Sequence, residues 1–288
     1  MATPKQPKVL LFDIGGVCVV SPFQSILDYE LSLGIPPGWV NYSISKTAPD
    51  GFWHRLERGE IPLDDAFYAG FNGDLHDAGR WAAFYREQQQ QQQQQRGAAA
   101  SDGGGGGAVP PVPRLDGRWL FEDMMRASMA PDPWMYPALR ALRARGGFVL
   151  AALSNTVRFP PGHALFRGDS FADDPVRRLF DVFVSSAHVG LRKPDPRIYA
   201  LALARVDAFA RAHGWPDGVR PDEVVFFDDI GENLKAARAA GFRTVKVPLG
   251  RTYEAVDELE AITGLQLAGD HPRVPVRPKM GGDAKAKI

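Results

Sequence analysis

The sequence has almost no cysteine, because Cys18 is the single thiol among 288 residues. One cysteine cannot form a disulfide within the chain, so burial of apolar surface has to stabilise the fold. Residues 1–7 also lack an apolar leader segment. These two absences lead us to expect a reducing, cytoplasmic location, and the C-terminal sequence AKI argues against a peroxisomal address.

Long apolar runs and an excess of one charge are missing as well. The longest apolar stretch, residues 9–20, is interrupted by Asp13 and is too short to span a bilayer. Lysine and arginine together number 34, as do aspartate and glutamate, so the formal net charge is zero. This balance argues against nucleic-acid and membrane partners and leaves a small molecule as the expected ligand. The sequence is silent on oligomeric state.

Polar side chains follow three short apolar runs, and another polar side chain lies in a proline-stiffened loop. The runs cover residues 9–12, 149–153 and 224–227, and such runs are typical of strands buried on both faces of a parallel sheet. Because ligands of open α/β sheets bind beyond the carboxyl ends of the strands, these side chains can meet in one crevice. The polar positions are Asp13, Ser154, Asn155, Lys193, Asp228 and Asp229.

Strand and helix patterns alternate through the second half of the chain. Further strands are predicted at 182–185 and 244–247, and helices at 137–145, 175–180, 196–213 and 233–240. This alternation predicts an α/β fold with a parallel sheet. Residues 21–129 instead show apolar residues at helical spacing without a convincing strand, which predicts a helical insert after the first strand.

Low-complexity sequence interrupts the insert and ends the chain. Residues 88–95 are all glutamine, and residues 103–107 are all glycine. Segments of this composition bury too little apolar surface to offset their ordering entropy. We therefore predict a disordered loop over about 88–113 and a disordered tail over 269–288.

Asp13 is the candidate nucleophile. A carboxylate at the end of a strand can attack phosphorus and form an acyl phosphate, which divides one difficult displacement into two easier ones. The alternative is a structural role, in which Asp13 caps the turn formed by Gly15 and Gly16.

Asp228 and Asp229 form a candidate metal site with Asp13. Two adjacent carboxylates at an apolar strand end repel each other unless a cation or protons neutralise them. Mg²⁺ favours oxygen ligands, with few protein carboxylates and a substrate phosphate in its shell. The alternative is an exposed pair that caps the helix following Gly231.

Ser154, Asn155 and Lys193 are candidate phosphate ligands. A hydroxyl and backbone N–H groups after a strand can bind phosphate oxygens, although the same residue types also form ordinary helix caps and turns. The prolines that follow Lys193 would aim its ammonium inward to offset phosphoryl charge. A lone lysine of this kind is otherwise solvated, so its assignment depends on the whole set.

Four motifs in this order resemble those of the haloacid dehalogenase superfamily of aspartate-nucleophile phosphohydrolases and, within it, the phosphatase domain at the N-terminus of soluble epoxide hydrolases. A stretch of the insert, RLERGEI at 55–61, is similar too. The motifs are FDIGGV at 12–17, LSNT at 153–156, VGLRKPDPRIY at 189–199 and FDDIGENLK at 227–235.

The resemblance implies a fold and a set of roles. It implies a Rossmann-like three-layer core over 1–20 and 130–268, with an α-helical cap over 21–129 that closes on the crevice. It also implies a Mg²⁺-dependent phosphohydrolase of a small phosphorylated metabolite, acting through an aspartyl phosphate. In that scheme Asp13 and Lys193 are catalytic, Ser154, Asn155 and Lys193 bind phosphate, and Asp13, the Gly15 carbonyl, Asp228 and Asp229 bind the metal.

The chain departs from the family pattern at Gly15. The family's phosphatases usually carry an aspartate there, which protonates the leaving group and then activates water. Loss of such an acid and base typically costs about 10²–10⁴-fold in rate, so we expect a slow or specialised enzyme. Two alternatives stay open. One is a dehalogenase-type hydrolase that uses Asp13, and the other is a catalytically weak protein that binds Mg²⁺ and a phosphometabolite.

Overall fold

The computed structural model describes residues 6–96, 108–166 and 174–279. Within these residues the strands are β1 (Val9–Phe12), β2 (Val149–Ser154), β3 (Val182–Ser185), β4 (Val224–Asp228) and β5 (Arg243–Lys246). The helices before β2 are α1 (Pro22–Ser32), α2 (Trp39–Lys46), α3 (Phe52–Glu57), α4 (Asp65–Leu75), α5 (Ala78–Arg96), α6 (Gly117–Ala127) and α7 (Met135–Arg145). Those after it are α8 (Ser186–Val189), α9 (Pro196–Ala212), α10 (Gly231–Ala239) and α11 (Thr252–Thr263), with single 3₁₀ turns at Arg177–Leu179 and Pro221–Glu223.

The five strands form one sheet in the order β3-β2-β1-β4-β5, and every neighbouring pair is parallel. β1 lies in the centre, with β2 on one side and β4 on the other. All carboxyl ends of the strands therefore lie at one edge, where ligands of open α/β sheets bind. The predicted parallel α/β fold is confirmed.

The sheet is buried on both faces, which explains its unbroken apolar runs. Leu10 and Phe12 pack into a cluster with α7 and α11, whereas Val9 and Leu11 pack into another with α9 and α10. Alternate side chains of one strand point to opposite faces, so a strand between two helical layers has to be apolar throughout. The result is the predicted three-layer arrangement.

The helices between β1 and β2 have a hydrophobic cluster of their own. α1 to α6 contribute its buried residues, which include Trp39, Phe67, Phe71 and Phe121. Stacked and edge-on ring pairs join many of these aromatic side chains, including Phe67 with Phe71 at 5.7 Å between centroids. We call residues 22–127 the helical region.

The prediction of a disordered loop over about 88–113 is wrong at both ends of that range, where the structure describes the chain. α5 continues through the glutamine tract to Arg96, because glutamine is a good helix former and extending a nucleated helix costs little. On the far side Val109 and Val112 pack against the helical region, and Trp81 Nε1 donates to the Pro110 carbonyl at 2.8 Å. Residues 97–107 lie outside the described part of the chain.

The predicted disordered tail also differs from the structure over 269–279. This segment has no helix or strand, but it contacts the rest of the molecule. Trp134 Nε1 donates to the Pro272 carbonyl at 3.1 Å, and the Val276 N–H donates to the Gly250 carbonyl at 2.9 Å. Residues 280–288 lie outside the described residues.

Other boundaries move by a few residues. The helix predicted at 175–180 is the single 3₁₀ turn Arg177–Leu179, while α8 and α11 were not predicted. α11 is visible in retrospect, because Ala255, Val256 and Leu259 line one helical face and pack against the sheet. Among the described residues every helix is too short or too polar to cross a membrane.

Candidate active site

Three carboxylates meet at the carboxyl edge of the sheet. β1 and β4 pair in a register that sets Phe12 beside Phe227, so Asp13 and Asp228 follow at the same level. The Asp13 N–H continues the pairing by donating to the Phe227 carbonyl at 2.8 Å. Asp229 is the next residue along the chain, and one carboxylate oxygen from each of the three aspartates lies within 4.8 Å of the others.

Lys193 enters this group from the loop before α9. Its side chain is fully buried, and Nζ lies 2.8 Å from Asp13 Oδ2 and 2.6 Å from Asp228 Oδ2. Burial alone would lower the Lys193 pKa, but the two carboxylates raise it on balance. The lysine is therefore a fixed ammonium within the site, and the solvated alternative does not apply.

The carboxylates are short of positive charge. Burial, partly offset by Lys193 and reinforced by the nearby Asp228, raises the pKa of Asp13 to about 6. Burial and the charges of Asp13 and Asp228 raise the pKa of Asp229 well above its usual range. Among the described residues, the buried Asp229 Oδ2 has no hydrogen-bond partner. Three ionised carboxylates and one ammonium leave a formal charge of minus two, which a divalent cation would neutralise, so the donor set fits Mg²⁺.

Asp228 is held in place from the following helix. Asn233, in the first turns of α10, donates Nδ2 to both Asp228 oxygens at 3.1 Å. The Ile230 N–H donates to Asp228 Oδ1 at 2.7 Å. Sequence reasoning missed Asn233, although its place five residues after Asp228 in a helix start was a usable signal. Asp228 is thus a buried, oriented carboxylate rather than an exposed helix cap.

Ser154 and Asn155 follow one another at the end of β2, and their surroundings differ. Ser154 is the buried last residue of β2. The side chain of Asn155 accepts from the Lys193 N–H at 2.8 Å and donates to the Lys193 carbonyl at 3.1 Å. Both ends of this amide are therefore engaged with the loop that carries Lys193, which makes Asn155 a support for that loop. Its predicted role as a phosphate ligand would fall to its backbone N–H.

The two glycines after Asp13 are not equivalent. Gly16 has φ of +74°, and a Cβ there would lie 2.2 Å from Asp229 Oδ2, so only glycine fits. Gly15 is outside the left-handed region, and a Cβ would first meet Pro22 Cδ at an ordinary 3.6 Å. The turn therefore requires glycine at 16 and accepts a side chain at 15.

A cavity of about 550 Å³ lies beside these residues. Ile14 and Thr156 line it, and each follows a site residue or motif in the chain. Arg158 and Arg177 bring positive charge to its wall, while Met129, Val157 and Phe159 belong to its apolar lining. This space is where the organic part of a ligand bound at Asp13 can lie.

Comparisons with known proteins agree with this geometry. A family profile described as haloacid dehalogenase-like hydrolase matches residues 7–241. Acyl-CoA dehydrogenase family member 10 of Mus musculus is 28% identical over 274 residues, which is 95% of this chain and 21% of the relative. Bifunctional epoxide hydrolase 2 of Sus scrofa is 27% identical over 282 residues, which is 97% of this chain and 42% of the relative. The chain thus spans less than half the length of these curated relatives.

A solved structure supports the fold. It is described as a dehalogenase with an intermediate complex, and it is similar over 91% of this chain and 99% of its own. The TM-score is 0.50 and the sequence identity is 18%. At that identity the likeness establishes a shared fold.

Proposed function

The chain belongs to the haloacid dehalogenase-like hydrolases, and within that family we propose that it is a Mg²⁺-dependent phosphatase of a small phosphorylated metabolite. The observation that carries the proposal is the buried Lys193 ammonium between Asp13 and Asp228, beside the unpartnered Asp229 oxygen. A site with fixed cationic and anionic groups side by side suits a phosphate ester bound together with a metal ion. The similarity to epoxide hydrolase 2 over nearly the whole chain supports the same reading.

Asp13, Asp228, Asp229 and the Gly15 carbonyl are the proposed metal ligands. When bound, Mg²⁺ would act as a Lewis acid that neutralises phosphoryl charge. Gly15 keeps the carbonyl that this role needs. The excess negative charge of the aspartates is what the ion would offset.

Asp13 is the proposed nucleophile. One of its oxygens forms a bond to phosphorus while the bond between phosphorus and the ester oxygen breaks, and the leaving oxygen takes the electron pair. Water then attacks phosphorus, the bond to Asp13 breaks, and inorganic phosphate leaves. Lys193 holds Asp13 at 2.8 Å and offsets phosphoryl charge. The hydroxyl of Ser154, at the end of β2, donates a hydrogen bond to a phosphate oxygen.

Gly15 sets the expected substrate preference. Without a carboxylic acid at this position, the leaving oxygen departs without proton transfer from residue 15. Aryl and acyl phosphates release weaker bases than alkyl phosphates do, so they need less help. The enzyme is therefore expected to favour good leaving groups.

The helical region is proposed to act as a cap over 21–129, above a core over 1–20 and 130–268. The helical region has a hydrophobic cluster of its own, as expected of a unit that moves as a rigid body. Closure of such a unit would exclude water and select the substrate. A cytoplasmic location fits a small-metabolite substrate and the single buried thiol of Cys18.

Dehalogenation is the second candidate, because it would also use Asp13 as a nucleophile. That chemistry needs no metal, whereas the three crowded carboxylates here keep an excess of negative charge beside the single Lys193 ammonium. The solved dehalogenase shares the fold and, at 18% identity, favours neither reaction. A non-catalytic binding protein is the third candidate, and the missing acid at Gly15 is the feature that favours it.

A panel of substrates tests these readings. Purified protein is assayed with aryl, acyl and alkyl phosphates and with 2-haloacids, each with Mg²⁺ and with a chelator. The proposal predicts Mg²⁺-dependent release of phosphate, fastest from aryl and acyl esters. Halide release without metal would favour dehalogenation, and phosphate binding without turnover would favour the binding protein.

A further inference from the structure

An ion pair between buried Glu57 and half-buried Arg192 connects the helical region to the loop that carries Lys193. Glu57, the last residue of α3, accepts from Arg192 Nε at 2.7 Å, and Nη2 of the same guanidinium lies 2.7 Å from the same oxygen. Arg192 directly precedes Lys193 in the chain. Asn155 then holds the Lys193 N–H and carbonyl through its side-chain amide. The Glu57 carboxylate is thus linked through the Arg192 side chain to the loop that carries Lys193, and the Asn155 side chain holds the same loop.

A second path returns from Asn155 to Glu57. The next residue, Thr156, donates its N–H to Ser186 Oγ at 2.8 Å. The Ser186 hydroxyl in turn donates to the backbone carbonyl of Glu57 at 2.6 Å. The two paths close a ring that starts and ends at Glu57. We call these six residues the Glu57 ring: Glu57, Arg192, Lys193, Asn155, Thr156 and Ser186.

The Glu57 ring is packed tightly enough that a displacement of one member would displace the others. Glu57 is 7% exposed and Ser186 is fully buried, and hydrogen bonds in such surroundings are costly to leave unmade. Gly59 lies against α8, where a Cβ would come within 2.3 Å of the Ala187 carbonyl at φ of +66°. α3 therefore meets the core through backbone contact as well as charge.

We propose that Glu57 is a positioning residue, which fixes the two loops carrying the phosphate ligands although it belongs to the helical region. This inference rests on the proposed phosphatase function. Through Arg192 it sets the loop of Lys193, and through Ser186 it sets the turn after Ser154. The ring meets the proposed metal ligands at Lys193 Nζ, which pairs with Asp13 and Asp228. Its own hydrogen bonds hold the Lys193 backbone, so it acts on phosphate binding more than on metal binding.

The test compares Glu57→Gln with Glu60→Gln. Glu60, three residues after Glu57, forms a similar pair with Arg58, but it is exposed and, among the described residues, makes no hydrogen bond to either loop. Binding of Mg²⁺ alone and of inorganic phosphate in the presence of Mg²⁺ is measured by calorimetry. Amide hydrogen exchange is followed in peptides containing 154–156 and 190–194.

Glu57→Gln is expected to weaken phosphate binding about tenfold, as loss of an outer support typically does, and to change Mg²⁺ binding less than twofold. The amides of Thr156 and Lys193 should exchange faster. Glu60→Gln should change none of these quantities more than about twofold. The double variant Glu57→Gln/Arg192→Gln should bind phosphate no more weakly than Glu57→Gln, because one link is broken in both.

Gly59→Ala supplies a second, uncharged perturbation in case Glu57→Gln folds poorly, and it should reproduce the loss of phosphate affinity. Equal effects of Glu57→Gln and Glu60→Gln, or parallel losses of Mg²⁺ and phosphate binding, would overturn the inference. Hydrogen exchange needs no phosphate. If wild-type protein binds no phosphate, the proposed function fails while the exchange data still decide whether Glu57 orders the loops.

Discussion

The helical region and the sheet edge both bury carboxylate oxygens, but the two regions differ in whether hydrogen-bond donors of the chain reach those oxygens. Glu30 in α1 is 1% exposed, and it accepts the N–H groups of Gly38 and Val40 at 2.6 and 2.7 Å. Burial raises its pKa, and these bonds to the start of α2 lower it in part. Asp229 at the sheet edge is half-buried beside two other aspartates, and its buried Oδ2 has no partner among the described residues.

This contrast distinguishes a structural carboxylate from the proposed functional ones. Glu30 has its acceptors filled by backbone donors, so it needs nothing from outside the chain. At the sheet edge the Asp229 Oδ2 has no partner among the described residues and the three aspartates repel one another, so the chain alone leaves this group of carboxylates incomplete. Burial is shared by both sites, and the balance of donors and charge is what distinguishes them.

Asp13→Asn should give the largest effect, because it removes one of the three carboxylates at the sheet edge. We expect phosphatase activity to fall at least about 10⁴-fold, because an amide is a very poor nucleophile. The fold should persist, since the replacement is nearly isosteric and removes a carboxylate whose ionisation burial opposes. Steady-state kinetics on an aryl phosphate, with circular dichroism for the fold, measure both.

Glu30→Gln is the matched control. Its NH₂ group would face a backbone donor, which costs about 1–3 kcal/mol of unfolding free energy, while kcat of the folded enzyme should stay within about twofold. A large fall in kcat for Glu30→Gln, or near-normal turnover by pure Asp13→Asn, would remove the distinction between the two carboxylates.

Gly15→Asp should sharpen the account by restoring an acid and base. The structure accepts a Cβ at this position, with its first contact at 3.6 Å. We expect alkyl phosphate turnover to rise about 10²-fold, the lower end for acid–base catalysis, and aryl phosphate turnover to rise less. Wild-type protein should show a burst of aryl alcohol followed by a slow steady state. Similar alkyl and aryl rates in the wild type, without a burst, would mean that another group already does this work.

The site residues that could be predicted from the sequence are those at the ends of predicted strands. Asp13, Ser154 and Asp228 were predicted because each ends an unbroken apolar run, and parallel strands bring their ends to one edge. Asn233, Glu30 and the partner of Glu57 could not be placed, since their contacts join elements distant in sequence. The contact of the Asn155 side chain could not be placed for the same reason: its partner, the Lys193 backbone, is 38 residues away.

The pH dependence of stability should differ between metal-free and Mg²⁺-bound protein. The Asp13 pKa rises from 3.8 to about 6 on folding without metal. Between these values the folded state binds more protons than the unfolded state, so stability falls as pH rises, by on the order of 3 kcal/mol. Mg²⁺ should therefore raise the melting temperature more at pH 7.5 than at pH 5.

Asp13→Asn is the control for this measurement as well. It should flatten the metal-free pH profile between pH 4 and about 6 and reduce the stabilisation by Mg²⁺. An equal Mg²⁺ effect at pH 5 and pH 7.5, or an unchanged effect in Asp13→Asn, would contradict the metal assignment.

Shortening the glutamine tract should have the smallest effect. Gln91–Gln94 are exposed at the end of α5, so deleting them should change the melting temperature by less than about 2 °C. Deleting all of 88–113 should cost more than about 5 °C, because it removes the packing of Val109 and Val112 and the acceptor of Trp81. Equal melting temperatures for the two deletions would mean that residues 108–113 add nothing to the helical region.

The most direct measurement is to trap the covalent intermediate. Protein is mixed with an aryl phosphate and Mg²⁺, quenched in acid during the burst, reduced with borohydride and analysed by peptide mass spectrometry. The account predicts an acyl phosphate, converted to an alcohol, at Asp13 alone, absent with chelator and absent in Asp13→Asn. Rapid Mg²⁺-dependent turnover without modification of Asp13, or with the phosphoryl group on another residue, would contradict it.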